Sequence, residues 1–201
     1  GVIESASLTR MPAVLSEFRR RHPEVHLNIH DLHSTEQLER LRDHEIDWGL
    51  LRAPVSDPAF ESAIVYDDPL VAAVPADAYD GAPRIPLREL ERTPLVLYHQ
   101  SLGPGFMATV VGACAQIGFA PRVTRRADST AMLLSLVSEG AGIGIVSEAV
   151  ATTRAEGVRF VGLDDPTPSP TVLLVWRAGE STPELRALLE ILRDTSYDGI
   201  G

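Results

Sequence analysis

The chain has 201 residues, a formal net charge of −10, 44% hydrophobic and 23% charged residues, and one cysteine, Cys114. This balance excludes disorder and a fibre, and the length admits one large domain or two small lobes, each with its own core. All 18 basic residues are arginines, which excludes chemistry on a lysine amine such as a pyridoxal Schiff base or a P-loop lysine.

The first predicted element is a strand ahead of Ser5. A helix follows over about Arg10 to His22, with Met11, Val14, Leu15 and Phe18 on one face and Arg19-Arg20-Arg21 at its end, until Pro23 stops it. Val25 to Leu32 alternates apolar and polar residues and reads as a strand. Ser34 with Gln37 fits a capping box for a helix carrying Leu38 and Leu41, and Ile46 to Leu50 reads as the next strand. This order, βαβαβ, implies a parallel sheet. Strands are predicted at Phe60–Val65 and Leu70–Val74, with Asp67-Asp68-Pro69 as a crossing between lobes. The second half alternates again. A strand at Leu95–Tyr98 precedes a helix opened by Gly103-Pro104-Gly105 and capped by Gly118. Val123 starts a strand, Asp128-Ser129 caps an apolar helix, and Ile143–Val146, Val158–Leu163 and Thr171–Trp176 are strands before a last helix opened by Thr182-Pro183.

An acidic surface repels phosphate backbones, so DNA contact by this segment alone is not expected. A lone cysteine and the lack of zinc-finger spacing suit a reducing cytoplasm. No apolar run approaches the ~20 residues of a membrane span, and the start has no signal-peptide pattern, so neither membrane association nor export is expected. The abrupt start in a strand-like segment and the end at Tyr197-Asp198-Gly199-Ile200-Gly201 predict an excised domain.

Parallel sheets bind ligands beyond the carboxyl ends of their strands, and the residues there are donors. Ser5 follows the first strand, Ser34 the second and Arg52 the third. In the other half, Gly103-Pro104-Gly105-Phe106 presents backbone N–H groups at a helix start. Helix N-termini carry roughly +0.5 charge, and hydroxyls with one guanidinium complete a set suited to carboxylate oxygens. Singly, each residue has a plainer role: Ser34 as a helix cap, Arg52 in a surface ion pair, Ser5 as a satisfied core hydroxyl. Their shared position at strand ends favours a small organic anion.

Other motifs carry less. Gly140-Ala141-Gly142-Ile143-Gly144 lies between a helix and a following strand, the reverse of a dinucleotide fingerprint, and reads as a tight helix-to-strand turn. His26, His30 and His33 read as solvated, so no metal site is expected, nor any cofactor. Cys114 reads as a buried thiol, and no nucleophile elbow supports hydrolase chemistry, so the chain reads as a binder and not an enzyme.

Met11-Pro12 with Phe18 and Pro23-Glu24-Val25, then Ile46-Asp47-Trp48-Gly49-Leu50, then Val137-Ser138-Glu139-Gly140-Ala141-Gly142-Ile143-Gly144-Ile145-Val146, form an ordered set over nearly the whole chain. It resembles the effector-binding domain of LysR-type transcriptional regulators. The resemblance implies an α/β fold of two Rossmann-like lobes of the type 2 periplasmic-binding-protein kind, with an effector cleft between them. Lobe I is expected over 1–68 and 171–201 and lobe II over 69–170, with the winged helix-turn-helix that binds DNA outside this chain. Leu51-Arg52 with Ser56-Asp57-Pro58, Leu97-Tyr98 with Gly103-Pro104-Gly105-Phe106, and Leu163-Asp164-Asp165-Pro166 look most like the regulators of aromatic-acid and catechol degradation. That subgroup responds to muconate, chloromuconates or benzoate.

Residue by residue, the resemblance assigns effector contacts to Ser5, Arg52, Ser34 (more often threonine in the family), Pro104 and Phe106. Tyr66 stands where certain members place an arginine for a second site, so a second site is not expected. The implied partners are a small carboxylate effector and further copies of the chain in a dimer or tetramer, formed through the first helix and second strand. Two alternatives share the fold: a solute-binding protein of a transporter, and an enzyme such as a prephenate dehydratase.

Overall fold

The computed structural model describes residues 1–77, 81, 83–164 and 168–197. Two compact units emerge, Gly1–Asp67 with Thr171–Gly201, and Asp68–Pro170.

In the first unit, helix α1 (Glu4–Leu8) leads into α2 (Met11–Arg21), which has Pro12 in its first turn and three arginines in its last. Helix α3 spans Ser34–Arg42, strand β1 Trp48–Arg52 and strand β2 Phe60–Asp67. The chain returns to this unit as β9 (Thr171–Arg177) and α6 (Pro183–Tyr197). Strand β9 lies between β1 and β2 and is antiparallel to both. The core combines Val14 and Phe18 of α2, Leu41 of α3, Leu50 and Leu51 of β1, Val172–Val175 of β9, and Leu185 and Ile191 of α6.

The parallel sheet expected here is reduced to single-residue contacts. Val2 lies between Asp31 and Leu50, parallel to both. Its N–H donates to the His30 carbonyl at 2.9 Å, and Leu32 N–H returns a bond to the Val2 carbonyl at 3.0 Å. The segment carrying Val2 turns into α1 at Glu4, so the ladder ends there. Val25–Leu32 is therefore not a strand, and its alternation survives only as partly buried Val25 and Leu27 against the core, with Ile29 43% exposed. The third strand also moves, from the expected Ile46–Leu50 to Trp48–Arg52.

The second unit holds six strands in the order β4-β8-β3-β7-β5-β6. They are β3 (Leu70–Pro75), β4 (Arg84–Ile85), β5 (Leu95–Tyr98), β6 (Val123–Ala127), β7 (Ile143–Ser147) and β8 (Val158–Leu163). Strand β5 runs parallel to β6 and β7, whereas β3 is antiparallel to β7 and β8. Strand alternation sends Leu70, Ala72 and Val74 to one core and Val71 and Ala73 to another. Helix α4 (Pro104–Gln116) covers the first with Phe106, Met107, Val110 and Cys114. Helix α5 (Thr130–Ser138) covers the second with Leu133 and Val137. Gly144 makes close packing possible, since a Cβ there would lie 2.5 Å from the Leu133 side chain. The short strand β4 and the 3-10 turn at Leu87–Arg92 carry no periodic pattern that the sequence reading identified.

The predicted cap of α5 is present: Ser129 Oγ accepts the Met132 N–H at 3.2 Å. Ser129→Ala is expected to cost about 1 kcal/mol of stability, read as a lower urea midpoint at unchanged slope. Gly118 follows α4 with φ +89°, as its predicted role at the helix end requires.

Candidate functional site

Three of the five residues singled out from the sequence meet in the first unit. Ser5 is inside α1 rather than after a strand, and is 3% exposed. Ser34 is the first residue of α3, and Arg52 ends β1. Arg52 Nη2 donates to Ser5 Oγ at 2.9 Å, and the Arg52 backbone N–H donates to Ser34 Oγ at 3.3 Å. Both seryl oxygens thus accept from one residue, and each hydroxyl keeps its own hydrogen for donation. Two hydroxyl donors around a guanidinium make a donor-rich corner suited to anionic oxygens.

The capping box expected from Ser34 and Gln37 does not form. His33 is the N-cap of α3 and no side chain caps it. Ser34 lies inside the helix, its hydroxyl directed to β1, and Gln37 is fully buried beneath it. Gln37 Nε2 bridges the carbonyls of Leu32 at 2.9 Å and Leu50 at 3.1 Å, tying the two segments that flank Val2 to the start of α3. Gly49 makes room, because a Cβ there would lie 2.7 Å from Gln37 Oε1. The available signal was a glutamine one turn before Leu41 on the buried face of the helix. On the same sheet, Arg52 and Tyr66 both lie opposite Val172, and the Arg10 guanidinium sits 4.4 Å from the Tyr66 ring centroid.

Pro104 and Phe106 belong to the second unit. Pro104 is exposed at the start of α4, following Gly103, and Phe106 is buried in the first turn. The Phe106 ring meets Tyr98 edge-on, with centroids 5.2 Å apart at 80°. The Tyr98 hydroxyl lies 2.8 Å from Thr130 Oγ1 at the start of α5, a contact that the sequence reading did not single out.

The remaining motifs resolve as structure. His26, His30 and His33 are exposed, and no group of three potential metal ligands occurs among the described residues. Gly140 and Gly142 both have positive φ, and a Cβ on Gly142 would collide with the Pro94 carbonyl, so these glycines form the tight turn into β7. Cys114 is fully buried, and burial pushes its thiol above the usual range. The folded chain is expected to resist iodoacetamide at pH 8 and to be labelled at Cys114 once urea unfolds it; rapid labelling of the folded chain contradicts that burial. Among the described residues, no helix is long and apolar enough to cross a membrane. Of the clue Leu163-Asp164-Asp165-Pro166, Asp165 and Pro166 lie outside the described residues.

Two α/β units in one chain, with donor groups gathered at the end of β1, suit a ligand-binding domain. The family model described as the LysR substrate binding domain matches residues 1–196, and the chain belongs to this family. The Hca operon transcriptional activator HcaR of Escherichia coli is 29% identical over 201 residues, covering 96% of this chain and 66% of that protein. BenM, an HTH-type transcriptional regulator of Acinetobacter baylyi, is 24% identical, covering 99% of this chain and 67% of BenM. The crystal structure of the effector-binding domain of a BenM variant superposes with a TM-score of 0.85 over 100% of this chain and 95% of that one, at 24% identity. The regulator CbnR superposes at 0.84, covering 98% of this chain and 69% of CbnR, at 22% identity. The fold is therefore the type 2 periplasmic-binding-protein fold. These relatives are named as transcriptional regulators, not as enzymes, and the transporter alternative is not favoured. The chain spans 64% of another E. coli regulator, YnfL, and 65% of IlvR of Caulobacter vibrioides.

Proposed function

We propose that this chain is the effector-sensing domain of a LysR-type transcriptional regulator. It binds a small carboxylate and switches transcription of aromatic-degradation genes. The observation that carries this reading is the Arg52 corner, where one residue donates to both Ser5 and Ser34 and gathers two hydroxyls beside a guanidinium, the groups that recognise a carboxylate. The reading also assigns effector contacts to Pro104 and Phe106, at the start of α4. The names of HcaR, as activator of the Hca operon, and of the BenM effector-binding domain crystallised with "its effector benzoate" support an aromatic or aromatic-derived acid. Ligand binding biases the arrangement of subunits within a homodimer or homotetramer, and a coupling of about 1–3 kcal/mol suffices for such a switch.

DNA contact belongs to a segment outside this chain. The net charge of −10 supports that assignment, as do the HTH-type names of relatives longer than the chain. A cytoplasmic setting fits the free Cys114 thiol.

Titration calorimetry with cis,cis-muconate, benzoate and succinate tests the reading. The expected result is binding of muconate or benzoate, weakened in Ser5→Ala by about tenfold through loss of one hydrogen bond to a charged ligand. Absence of binding by all three acids removes the aromatic-acid assignment.

A further inference from the structure

The first unit holds a second guanidinium on the row of strand residues that carries Arg52. Four arginines are half-buried: Arg10, Arg40, Arg52 and Arg177. Arg40 pairs with Glu36 and Arg177 with Glu180. The Arg10 guanidinium meets no carboxylate among the described residues and instead lies 4.4 Å from the Tyr66 ring centroid. A half-buried charge without a counter-ion carries a desolvation cost, and methionine would cover the same ring without it. Packing alone therefore does not account for arginine at position 10.

Arg52 of β1 and Tyr66 of β2 both pair with Val172 of β9. Opposed residues of antiparallel strands point to one face, so the three form a row whose ends are two strand spacings, about 10 Å, apart. Residues 5–10 cross that row. At one end Ser5 Oγ accepts from Arg52 Nη2, and at the other the Arg10 guanidinium covers Tyr66. The turn between them is fixed by Thr9 Oγ1, which donates to the Ser5 carbonyl at 2.8 Å, and by the Arg10 N–H, which donates to the Ala6 carbonyl at 3.1 Å. Stacking engages the flat face of the Arg10 guanidinium and leaves its in-plane N–H groups, which are the ones that bind a carboxylate.

We propose that Arg10 is a specificity residue that binds the second acid group of a ligand whose first acid group is held at Arg52. The preferred effector class is then a dicarboxylate whose acid groups are separated by a short carbon chain, over the monocarboxylate of the same skeleton. Every group that the inference uses belongs to the first unit. It rests on the carboxylate reading above, which requires the Arg52 corner and not Arg10.

The test is calorimetric titration of the 201-residue chain at neutral pH with cis,cis-muconate, its monomethyl ester and benzoate, repeated on Arg10→Met and Arg52→Ala. The ester keeps the carbon skeleton and removes one charge. Thermal unfolding of each variant checks its folding. Muconate is expected to bind about tenfold tighter than the monoester, the effect of a hydrogen bond to a charged group. Arg10→Met is expected to reduce that preference to about threefold or less. If Arg10→Met fails to fold, Arg10→Gln, which keeps a polar end, decides in its place. Equal binding of muconate and monoester by the unaltered chain overturns the inference, as does a preference that survives the loss of the Arg10 charge. If Arg52→Ala abolishes binding of both while the Arg10 variant keeps the preference, this inference falls and the carboxylate reading stands. Binding of benzoate without binding of muconate has the same meaning. If none of the three binds, both fall.

Discussion

Arg52→Ala is expected to lower the affinity of the chain for cis,cis-muconate by roughly tenfold to a hundredfold, the effect of losing a hydrogen bond to a charged group. The loss exceeds that of either serine because Arg52 contributes in two ways. Its guanidinium supplies the positive charge, and it also donates to Ser5 Oγ, leaving the Ser5 hydrogen for the ligand. Ser34 is held by the Arg52 backbone N–H, so its position survives the substitution. Arg52→Lys is expected to recover only part of the affinity, because a compact ammonium lacks the planar fork that serves a serine and a carboxylate together. Calorimetry gives the affinities. Unfolding midpoints with and without ligand check them, since binding stabilises the folded state in proportion to RT ln(1 + [L]/Kd). Affinity unchanged in Arg52→Ala would move the anion site away from β1.

The second large effect falls on stability. Phe18 is fully buried in the core of the first unit, and its ring lies 5.1 Å from that of His22 at the end of α2. Phe18→Ala is expected to destabilise that unit by about 3–5 kcal/mol, as lost burial and a residual cavity add. Ile64 on β2 provides the contrast. It is equally apolar but 76% exposed, so Ile64→Ala is expected to stay within about 0.5 kcal/mol of the parent chain. Urea unfolding followed by tryptophan fluorescence measures both, since Trp48 and Trp176 lie in this unit. Similar midpoints for the two variants would contradict the burial assigned to Phe18.

The helices after α1 were legible because their signals are local, whereas the five residues of α1 are too few to show a period. Met11, Val14 and Phe18 repeat at helical spacing ahead of Pro23, and Ser129 caps α5 through its own third neighbour. Buried strands such as Leu95–Tyr98 declared themselves by apolar runs flanked by proline and glycine. Val25–Leu32 misled because alternation reports which side of a segment faces the core. It does not report whether a neighbour runs alongside long enough to form a ladder, and here the neighbour turns into α1 after Val2. The capping box misled for a related reason: Ser34 and Gln37 have the right spacing, but buried carbonyls at Leu32 and Leu50 engage the Gln37 amide instead.

The sequence by itself determined a chain without lysine, its acidity, the succession of helices after α1 and of most strands, and the hydroxyl and guanidinium residues suited to an anion. Those properties depend on residue identity and on neighbours within about one helical turn or one strand. Only the tertiary structure decided that Arg52 meets both Ser5 and Ser34, that Gln37 secures the segments beneath them, and that Tyr98 and Thr130 share a hydrogen bond. Arg52 and Ser5 are 47 residues apart and Tyr98 and Thr130 are 32 apart. Contacts at such separations follow from the order and register of whole strands, which no local pattern encodes.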